Sequence, residues 1–452
     1  MGIGLHGGGV GTVKFLAMHG AKVIATDLRT KEQLSASLEK LKGIKNITYV
    51  LGQHRMEDFS KVDMVIKNPA AQWSDKHIKF ALENKVPVEM DSSLFFKLCK
   101  NPIIGVTGTK GKTTTATLIY EILKSAGKNP IKIGIGQVSV LDKLLLLKKD
   151  SIPVFELSSW RLSALGRAKL SPHVAVFKNI MPDHLNYYGT MEKYLQDKKY
   201  IFSNQTAKDW LIVNGDDEML LNASKEARGQ LIKFSYQELK DDKAVFIQDG
   251  AIYLNNGIDV KKLVEIKDIT IPGAHNLSNV MAAIGAVKAF GLTTLEIKKV
   301  LPKLTGVPHR LEFVRELNGV KYYNDTAATI PDAAISALEA FERPIVLIAG
   351  GTDKELDFTD LAKKMLEKTK EIVLLKGNAT EKIMEKLKKI ATDEFLKKIE
   401  VVDSMDGALL LAQKKAESGD VVVLSSGAAS FGLFANEFDR GDKFREAVKK
   451  LK

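Results

Sequence analysis

Cysteine and long apolar segments are both scarce in this chain. Its single cysteine, Cys99, cannot form a disulfide bond within the chain, and such scarcity is typical of proteins that fold in a reducing compartment. No apolar run approaches the roughly 20 residues that a membrane-spanning helix needs. These absences argue against a disulfide-stabilised secreted module and against a membrane-spanning protein, so we expect a cytoplasmic chain without a membrane partner.

Acidic residues are fewer than basic ones, with 55 Asp and Glu against 67 Lys and Arg, and the net charge is +12. A surplus of this sign can indicate a nucleic-acid partner. The lysines are scattered, however, and no basic stretch interleaved with aromatic residues stands out. We therefore predict a lysine-rich surface on a protein that takes anionic small molecules, with no nucleic-acid partner.

The chain has 452 residues, which is more than one domain usually contains. Short apolar segments alternate with helical patterns, and this predicts α/β domains with parallel sheets. Near the N-terminus the predicted strands are residues 3–5, 22–26 and 63–67, with helices around 10–19 and 74–84. An Asn-Asn-Gly turn predicts a hairpin within 243–260. We place three α/β domains in series, over residues 1–98, 99–304 and 305–452.

The stretch "GVTGTKGKTTT" carries the most specific motif of the chain. Gly111-Lys112-Thr113 matches the G-K-[ST] end of a phosphate loop, although Val106 stands where the strict pattern has its first glycine. An apolar strand precedes the loop and an amphipathic helix follows it, which favours ATP binding over a glycine turn without a ligand. In such a loop Lys112 can reach the β- and γ-phosphates, and the Thr113 hydroxyl can bind Mg²⁺.

A second glycine-rich turn opens the chain. Gly2, Gly4 and Gly7 have the G-x-G-x-x-G spacing, and Asp27 follows twenty residues after Gly7. This layout is typical of a dinucleotide site, so NAD is one interpretation. Glycine spacing alone does not decide between NAD and another ligand, because the later phosphate loop competes for the adenine nucleotide.

Two further polar residues follow apolar strands. Glu156 ends "VFE", and His184 follows "VAVFKNIMPD". Both would project from the carboxyl ends of strands beside the phosphate loop, where an oxygen donor and an imidazole suggest divalent metal ligands. A capped loop with a buried histidine is the other interpretation, and spacing alone leaves both open.

Eight segments, in this order along the chain, resemble motifs of the Mur ligases, the ATP-dependent amino-acid ligases of peptidoglycan precursor synthesis. They are "GVTGTKGKTTT", "ELSS", "NIMPDHLNYYG", "YLQDKKYIF", "GAHNLSNVMAA", "PHRLEFV", "YYNDTAAT" and "LSSGAASFGLFANEFDRGDKF". The resemblance implies an N-terminal Rossmann-like domain that binds UDP, a central P-loop ATPase-type domain with a parallel sheet, and a C-terminal Rossmann-like domain that binds the incoming amino acid. It implies UDP rather than NAD at the first turn, and we expect a monomer.

The resemblance also implies roles for individual residues. The ATP-binding positions are Gly108, Thr109, Lys110, Gly111, Lys112, Thr113, Thr114, Asn276, Arg310 and Asp325. The positions for the UDP-sugar are Gly4, Gly7, Asp27 and Arg29, and those for the amino acid are Lys354 and Ser430. The implied cofactor is a pair of Mg²⁺ ions held by Thr113, Glu156, His184 and Lys198, with Lys198 as a carbamate. The implied catalytic residues are Lys112, Glu156, His184 and Lys198.

The last motif most resembles the branch of the family that adds glutamate to UDP-N-acetylmuramoyl-L-alanine through an acyl phosphate, and D-glutamate is our first expectation. Three positions depart from that branch. Ala327 stands where a lysine helps to bind the glutamate carboxylate, "IKIGIGQV" lacks an asparagine that contacts the sugar nucleotide, and Pro182 stands where an acid usually precedes Asp-His. L-glutamate or another amino acid therefore stays open. A P-loop kinase or NTPase, an NAD oxidoreductase and a non-catalytic binding protein are the alternatives of other classes.

Overall fold

The computed structural model describes residues 1–5, 7–135, 139–239, 242–269, 271–304 and 306–451. These residues form two compact units, and the chain has the predicted α/β class. The first unit is Met1–Glu265 with Ser278–Leu301, and the second is Ile266–Leu277 with Pro302–Lys452. None of the helices in the described ranges is long and apolar enough to cross a lipid bilayer. The domain boundaries at 98/99 and 304/305 stay a prediction, and Thr305 lies outside the described residues.

The N-terminal part of the first unit has two small parallel sheets. One pairs β1 (Val23–Asp27) with β2 (Ile47–Leu51), and the other pairs β3 (Val65–Ile66) with β4 (Val88–Glu89). The helices of this part are α1 (Gly8–Met18), α2 (Ser35–Glu39), α3 (Lys76–Glu83) and α4 (Asp91–Leu98). A short 3₁₀ turn, Met56–Phe59, lies between β2 and β3.

The predicted strand at residues 3–5 is wrong. Gly2 and Gly4 have φ angles of 82° and 67°, in the left-handed region that an extended strand does not visit. The segment still bridges the two small sheets, because Gly2 N donates to Thr26 O at 2.7 Å and Asn68 N donates to Met1 O at 2.9 Å. Glycine allows both features at once, since it adopts positive φ without a steric penalty.

The central part of the first unit is a nine-stranded sheet in the order β13-β12-β11-β10-β9-β8-β5-β7-β6. Its strands are β5 (Ile104–Thr107), β6 (Asn129–Ile133), β7 (Ser151–Glu156), β8 (Val174–Phe177), β9 (Trp210–Asn214), β10 (Gln230–Ser235), β11 (Ala244–Gln248), β12 (Ala251–Asn255) and β13 (Val260–Glu265). Its helices are α5 (Lys112–Ser125), α6 (Ser159–Arg167), α7 (Leu185–Tyr188), α8 (Met191–Lys199), α9 (Glu218–Ser224), α10 (Ala274–Ala289, within this unit from Ser278 onward) and α11 (Thr294–Val300). The predicted parallel sheet is confirmed from β6 to β11.

The last two strands of this sheet are antiparallel. The β11–β12 and β12–β13 pairs form a meander through turns at Asp249-Gly250 and Asn255–Gly257. The hairpin predicted at the Asn-Asn-Gly turn is confirmed as the β12–β13 pair, although its second strand extends to Glu265, beyond the predicted end at residue 260. Strands joined by a tight turn must run antiparallel, whereas the helical crossovers elsewhere in this sheet produce parallel pairs.

Strand β5 is the third strand from the β6 edge of this sheet and lies between β7 and β8, which both follow it in sequence. Because the chain leaves β5 toward one side and later returns to the other, a crevice forms at the carboxyl end of β5, and ligands of open α/β sheets bind in such a crevice. Phe155 of β7 packs edge-on against Phe95 of α4, with ring centroids 5.3 Å apart. This apolar contact ties the N-terminal part to the central sheet within the first unit.

The second unit is a six-stranded sheet in the order β14-β15-β19-β16-β17-β18, parallel except for the β14–β15 pair. Its strands are β14 (Glu312–Leu317), β15 (Val320–Asn324), β16 (Ile345–Gly350), β17 (Thr369–Leu375), β18 (Ile399–Val402) and β19 (Val421–Leu424). Its helices are α12 (Pro331–Glu339), α13 (Thr359–Lys368), α14 (Asn378–Ile390), α15 (Asp393–Leu396), α16 (Met405–Lys415) and α17 (Glu437–Lys450). Strands β16 and β19 are buried along their whole length, as expected for parallel strands covered on both faces.

Candidate active site

The phosphate loop lies where the sequence places it, between the end of β5 and the first turn of α5. Gly111 caps α5 with a φ of 83°, which strongly favours glycine. A Cβ at this position would also lie 2.4 Å from Asn279 Oδ1, so a larger residue would displace α10 or the loop. The loop therefore leads directly into the N-terminus of α5, the end of a helix that favours anions.

Lys112 folds back across this loop. Its Nζ donates to Gly108 O and to Thr109 O, both at 3.0 Å. The ammonium is thus held over the loop by two carbonyl groups. Lys110 is exposed at the tip of the loop, and Thr114 lies in the first turn of α5.

Asn179 holds the loop from the neighbouring strand, a role that sequence reasoning missed. Its Oδ1 accepts hydrogen bonds from Thr109 N at 2.9 Å and from Lys110 N at 3.0 Å, and its Nδ2 donates to Lys110 O at 3.1 Å. The available signal was a polar residue two positions after the end of β8, the strand beside β5. The 70-residue separation from Thr109 hides the contact from any local pattern.

Thr113 and Glu156 meet across the β5–β7 pair. Thr113 Oγ1 donates to Glu156 Oε2 at 2.7 Å. Two of the residues predicted to bind Mg²⁺ are therefore in direct contact with each other. A hydroxyl and a carboxylate beside a phosphate site are hard oxygen ligands of the kind that Mg²⁺ takes together with water and substrate phosphates.

His184 and Lys198 approach the loop through a shared aromatic residue. The ring centroid of His184 lies 6.2 Å from that of Tyr194, and Lys198 Nζ lies 4.8 Å from the same ring. The Tyr194 hydroxyl is 3.3 Å from Thr109 Oγ1. The structure thus brings both predicted residues to the carboxyl edge of the sheet, with the imidazole half exposed and the amine buried.

Burial dominates the chemistry of Lys198. Its Nζ donates to Gly108 O at 2.8 Å, and it has no carboxylate partner within the ranges that the structure describes. Burial lowers the pKa of this amine well below its usual range. The nearby charge of Lys112 lowers it further, while Asp183 opposes both. A buried lysine with such neighbours is a neutral amine far more readily than a solvated one.

Within the described parts of the chain, no three His, Cys, Asp or Glu side chains gather closely enough to form a metal cage of their own. The Thr113–Glu156 pair fits Mg²⁺ nonetheless, because this ion often keeps several waters and binds through one or two carboxylates plus phosphate oxygens. His184 and Lys198 offer only nitrogen as they stand. An anionic oxygen on Lys198 would add an oxygen ligand of the kind that Mg²⁺ prefers.

The first glycine turn is held together by Asp27, the last residue of β1. Asp27 is 2% exposed, and its Oδ2 and Oδ1 accept from Gly4 N and Arg29 N, both at 2.9 Å. Gly7 caps α1 with a φ of 80°. The four positions predicted for the UDP-sugar therefore form one local structure at the carboxyl end of β1. Residues 136–138, within the stretch that lacks the expected asparagine, lie outside the described residues.

The second unit contains the remaining predicted site residues. Asp325 is buried, with Oδ1 accepting from Leu311 N at 3.0 Å and Oδ2 from Ser425 Oγ at 2.8 Å, and burial raises its pKa to about 7 despite these bonds and the charge of Arg310. Asn276 Nδ2 donates to Pro272 O at 2.7 Å in the same unit.

Two loops of this unit contain the residues predicted to bind the substrate amino acid, and hydrogen bonds join these loops to each other. Thr352 and Ala429 exchange two backbone hydrogen bonds, each 2.9 Å long. Lys354 is exposed two residues beyond Thr352, and Ser430 directly follows Ala429. The Ser430 hydroxyl oxygen is buried without a hydrogen-bond partner among the described residues, so a ligand group that bonds to it would remove an energetic penalty.

Arg440 supports these loops, and sequence reasoning did not single it out. Its guanidinium is fully buried and donates to Thr326 Oγ1 at 2.9 Å, to Thr326 O at 3.0 Å and to Ala428 O at 3.2 Å. Burial lowers its pKa to about 10. Arg440 therefore fixes the loop after β15 against the loop after β19.

Comparison with known proteins identifies three family models along the chain. Residues 1–89 match the Mur ligase MurD-like N-terminal domain, residues 106–287 match the Mur ligase middle domain, and residues 309–428 match the Mur ligase glutamate ligase domain. The matches follow one another in the order expected from the motifs.

Curated relatives match over the full length of the chain. A UDP-N-acetylmuramoylalanine–D-glutamate ligase of Roseiflexus sp. (strain RS-1) is 40% identical over 99% of this chain and 97% of that protein. The protein of the same name from Geobacillus kaustophilus (strain HTA426) is 37% identical over 100% and 97%.

Solved structures share the fold at lower identity. A UDP-N-acetylmuramoyl-L-alanyl-D-glutamate–2,6-diaminopimelate ligase superposes with a TM-score of 0.60 at 20% identity, covering 86% of this chain and 93% of that one. The UDP-N-acetylmuramate–alanine ligase MurC of Thermotoga maritima superposes with a TM-score of 0.55 at 18% identity, covering 95% and 100%. These likenesses support the three-domain α/β architecture.

Proposed function

The chain belongs to the Mur ligase family, and we propose that it joins D-glutamate to UDP-N-acetylmuramoyl-L-alanine while ATP is cleaved to ADP and phosphate. The observation that carries this proposal is the assembly around the phosphate loop: Lys112 over the loop, Thr113 bonded to Glu156, and Lys198 buried beside it. That assembly suits activation of a carboxylate by ATP. The two substrates to be joined come from the names of the full-length relatives.

The proposed reaction has two steps. The alanyl carboxylate attacks the γ-phosphorus of ATP, which forms an acyl phosphate and releases ADP. The glutamate amine then attacks the acyl carbon, loses a proton, and phosphate leaves. A carboxylate and a triphosphate repel each other, so the task of the protein is to position them and to neutralise their charge. In this proposal Lys112 and the N-terminus of α5 bind the phosphates.

We propose two Mg²⁺ ions, with Thr113 and Glu156 at the first and His184 and carbamylated Lys198 at the second. When bound, these ions would neutralise the charge that builds up between the carboxylate and the γ-phosphate. In the carbamylation, the neutral Lys198 amine attacks CO₂ and releases one proton. The neutral amine is thereby converted into an anionic oxygen donor. The lowered pKa of Lys198 favours this step, because it leaves more of the amine unprotonated.

The positions in the second unit complete the proposal. Asn276, Arg310 and Asp325 are assigned to ATP, and Lys354 with Ser430 to the glutamate. The second assignment is supported by the hydrogen-bonded Thr352 and Ala429 loops and by the buried Ser430 hydroxyl, which has no hydrogen-bond partner within the described part of the chain. Lys354 supplies the positive charge for a carboxylate, since Ala327 cannot.

Activity with defined substrates tests the proposal. Phosphate release should need ATP, UDP-N-acetylmuramoyl-L-alanine and D-glutamate together, and each omission should reduce it to background. L-glutamate run in parallel checks the consequence of Ala327. ATP turnover that ignores the UDP-sugar would instead indicate an NTPase or a kinase, and a preference for L-glutamate would correct the amino acid.

We also predict that the first glycine turn binds a uridine nucleotide and not NAD. Titration calorimetry should show heat on adding UDP and none on adding NADH. Arg29→Ala should weaken UDP binding, because Arg29 is exposed beside the turn, at a position that the family resemblance assigns to the uridine. Lys31→Ala, another exposed cation two residues further along, is the matched control. Tight NADH binding without UDP binding would reverse the assignment.

A further inference from the structure

A second buried lysine, Lys178, lies beside the phosphate loop and has no part in the mechanism above. It follows β8 directly, and its backbone N–H donates to Thr107 O at 3.0 Å, level with the last residue of β5. Its side chain is 1% exposed. Its Nζ donates to Ser278 Oγ, near the start of α10, at 2.6 Å. Within the residues that the structure describes, no carboxylate forms an ion pair with this ammonium.

The stem of Lys178 packs against the loop itself. A Cβ on Gly108 would lie 2.8 Å from Lys178 Cβ, and a Cβ on Gly111 would lie 3.5 Å from Lys178 Cε. Glycine at these positions therefore lets the lysine approach the loop backbone closely. The amine continues past the loop to α10, so Lys178 links the loop to that helix.

The surroundings of the amine include aromatic rings and charged groups of both signs. The Phe234 ring of β10 lies 5.0 Å from Lys178 Nζ, and the Tyr236 hydroxyl shares Ser278 with it. The charged groups on the packed elements are Lys112 and Lys198, both bonded to Gly108 O, and Asp216, whose carboxylate accepts from Tyr236 N at 2.9 Å. Burial lowers the pKa of Lys178 to about 7.

A buried ammonium without a counter-charge is costly, and it persists where something compensates for it. The strongest anion that this region would receive is the triphosphate of a nucleotide on the loop. We propose that Lys178 is a positioning residue for ATP, whose ammonium, held by Ser278, favours the triphosphate and fixes the loop against α10. This inference rests on the proposed function only in taking ATP as the ligand of the loop.

Proton uptake follows from this placement. At pH 8 the amine of the free protein is mostly neutral, because its pKa is about 7. A polyanion close by favours the charged form and raises that pKa, so binding of ATP draws a proton onto Lys178. By linkage, the affinity for ATP should fall as the pH rises above 7, until the pKa of the bound state is passed.

Calorimetry of the full chain with ATP and Mg²⁺ at pH 8, without the UDP-sugar, tests this inference. The wild-type binding enthalpy should differ between Tris and HEPES buffers by an amount that corresponds to uptake of up to about one proton. Lys178→Met should lose this buffer dependence and bind ATP about tenfold more weakly. In turnover it should raise KM for ATP far more than it lowers kcat.

Lys67→Met is the matched control. Lys67 is also buried, its Nζ donates to Ala71 O at 2.8 Å, and burial lowers its pKa to about 8, but it lies in the N-terminal part after β3. This variant should keep the ATP affinity and the buffer dependence of the wild type.

Two results would overturn the inference. One is a wild-type binding enthalpy that is the same in both buffers. This measurement uses only the wild-type protein, so it tests the inference even if Lys178→Met does not fold. The other is a folded Lys178→Met protein with unchanged ATP affinity or unchanged proton uptake. A chain that takes up a proton with ATP but ignores the UDP-sugar would refute the proposed function and leave this inference standing.

Discussion

Lys198→Ala should be almost inactive, with turnover lower by about a thousandfold, the loss expected when a group that stabilises developing charge is removed. Lys198 is buried beside the phosphate loop with Nζ bonded to Gly108 O, and burial lowers the pKa of the amine. As a carbamate it would supply an anionic oxygen, which neither the Lys198 amine nor the His184 imidazole provides. Phosphate release with all three substrates measures the effect.

If Lys198 is a carbamate, the activity should also depend on dissolved CO₂. Wild-type activity should fall when dissolved CO₂ is removed and should return with bicarbonate. A short carboxylate in its place, as in Lys198→Asp, should restore part of the lost rate, because the missing feature is an anionic oxygen donor. A merely structural lysine would respond to neither treatment.

Lys199→Ala is the matched control for Lys198→Ala. It removes the adjacent lysine of α8, whose Nζ pairs instead with Oε1 of the exposed Glu226 at 2.6 Å. It should keep nearly full activity, since surface ion pairs contribute little. Near-normal turnover of Lys198→Ala in CO₂-free buffer would show the carbamate assignment to be wrong.

Lys112→Ala should reduce turnover by about a hundredfold or more while the protein stays folded. Its ammonium is held over the phosphate loop by Gly108 O and Thr109 O, where it can meet the charge of the β- and γ-phosphates. Removal of one such charge typically costs a factor of about 10² to 10³ in kcat. The rate of phosphate release measures the loss, and a thermal unfolding curve close to that of the wild type shows that the fold is kept.

Lys124→Ala provides the comparison on the same helix. Lys124 lies in the last turn of α5, where its Nζ is 5.7 Å from the Tyr120 ring. This variant loses one positive charge from the helix without touching the phosphate loop, so activity should be unchanged. If Lys112→Ala keeps more than a tenth of the wild-type rate, its role at the phosphates is refuted.

Local sequence patterns predicted the elements that carry the site. The order apolar strand, glycine loop, helix placed Lys112 and Thr113 correctly at the start of α5, and the Asn-Asn-Gly turn located the hairpin of β12 and β13. The prediction of a strand at residues 3–5 was wrong, and the reason also lies in the local sequence. Its apolar residues suggested a strand, but the glycines on either side of Ile3 have positive φ.

Contacts between distant segments were outside the reach of those patterns. Asn179 bonds to the loop from 70 residues away, and Lys178 bonds to Ser278 across 100 residues. Arg440 joins two loops of the second unit in the same manner. The periodicity of the sequence does not identify such residues, because the order of the strands in the sheet determines which residues they contact.

The sequence by itself determined the α/β class, the phosphate loop and its ATP chemistry, and the set of motifs that resembles the Mur ligases. These features depend on short-range spacing, which is written directly in the chain. Only the tertiary structure decided that Thr113 contacts Glu156, that Lys178 and Lys198 are buried amines, and that the Ser430 hydroxyl has no hydrogen-bond partner among the described residues. Burial and pKa depend on every element packed around a group, so they exist only once the sheets have formed.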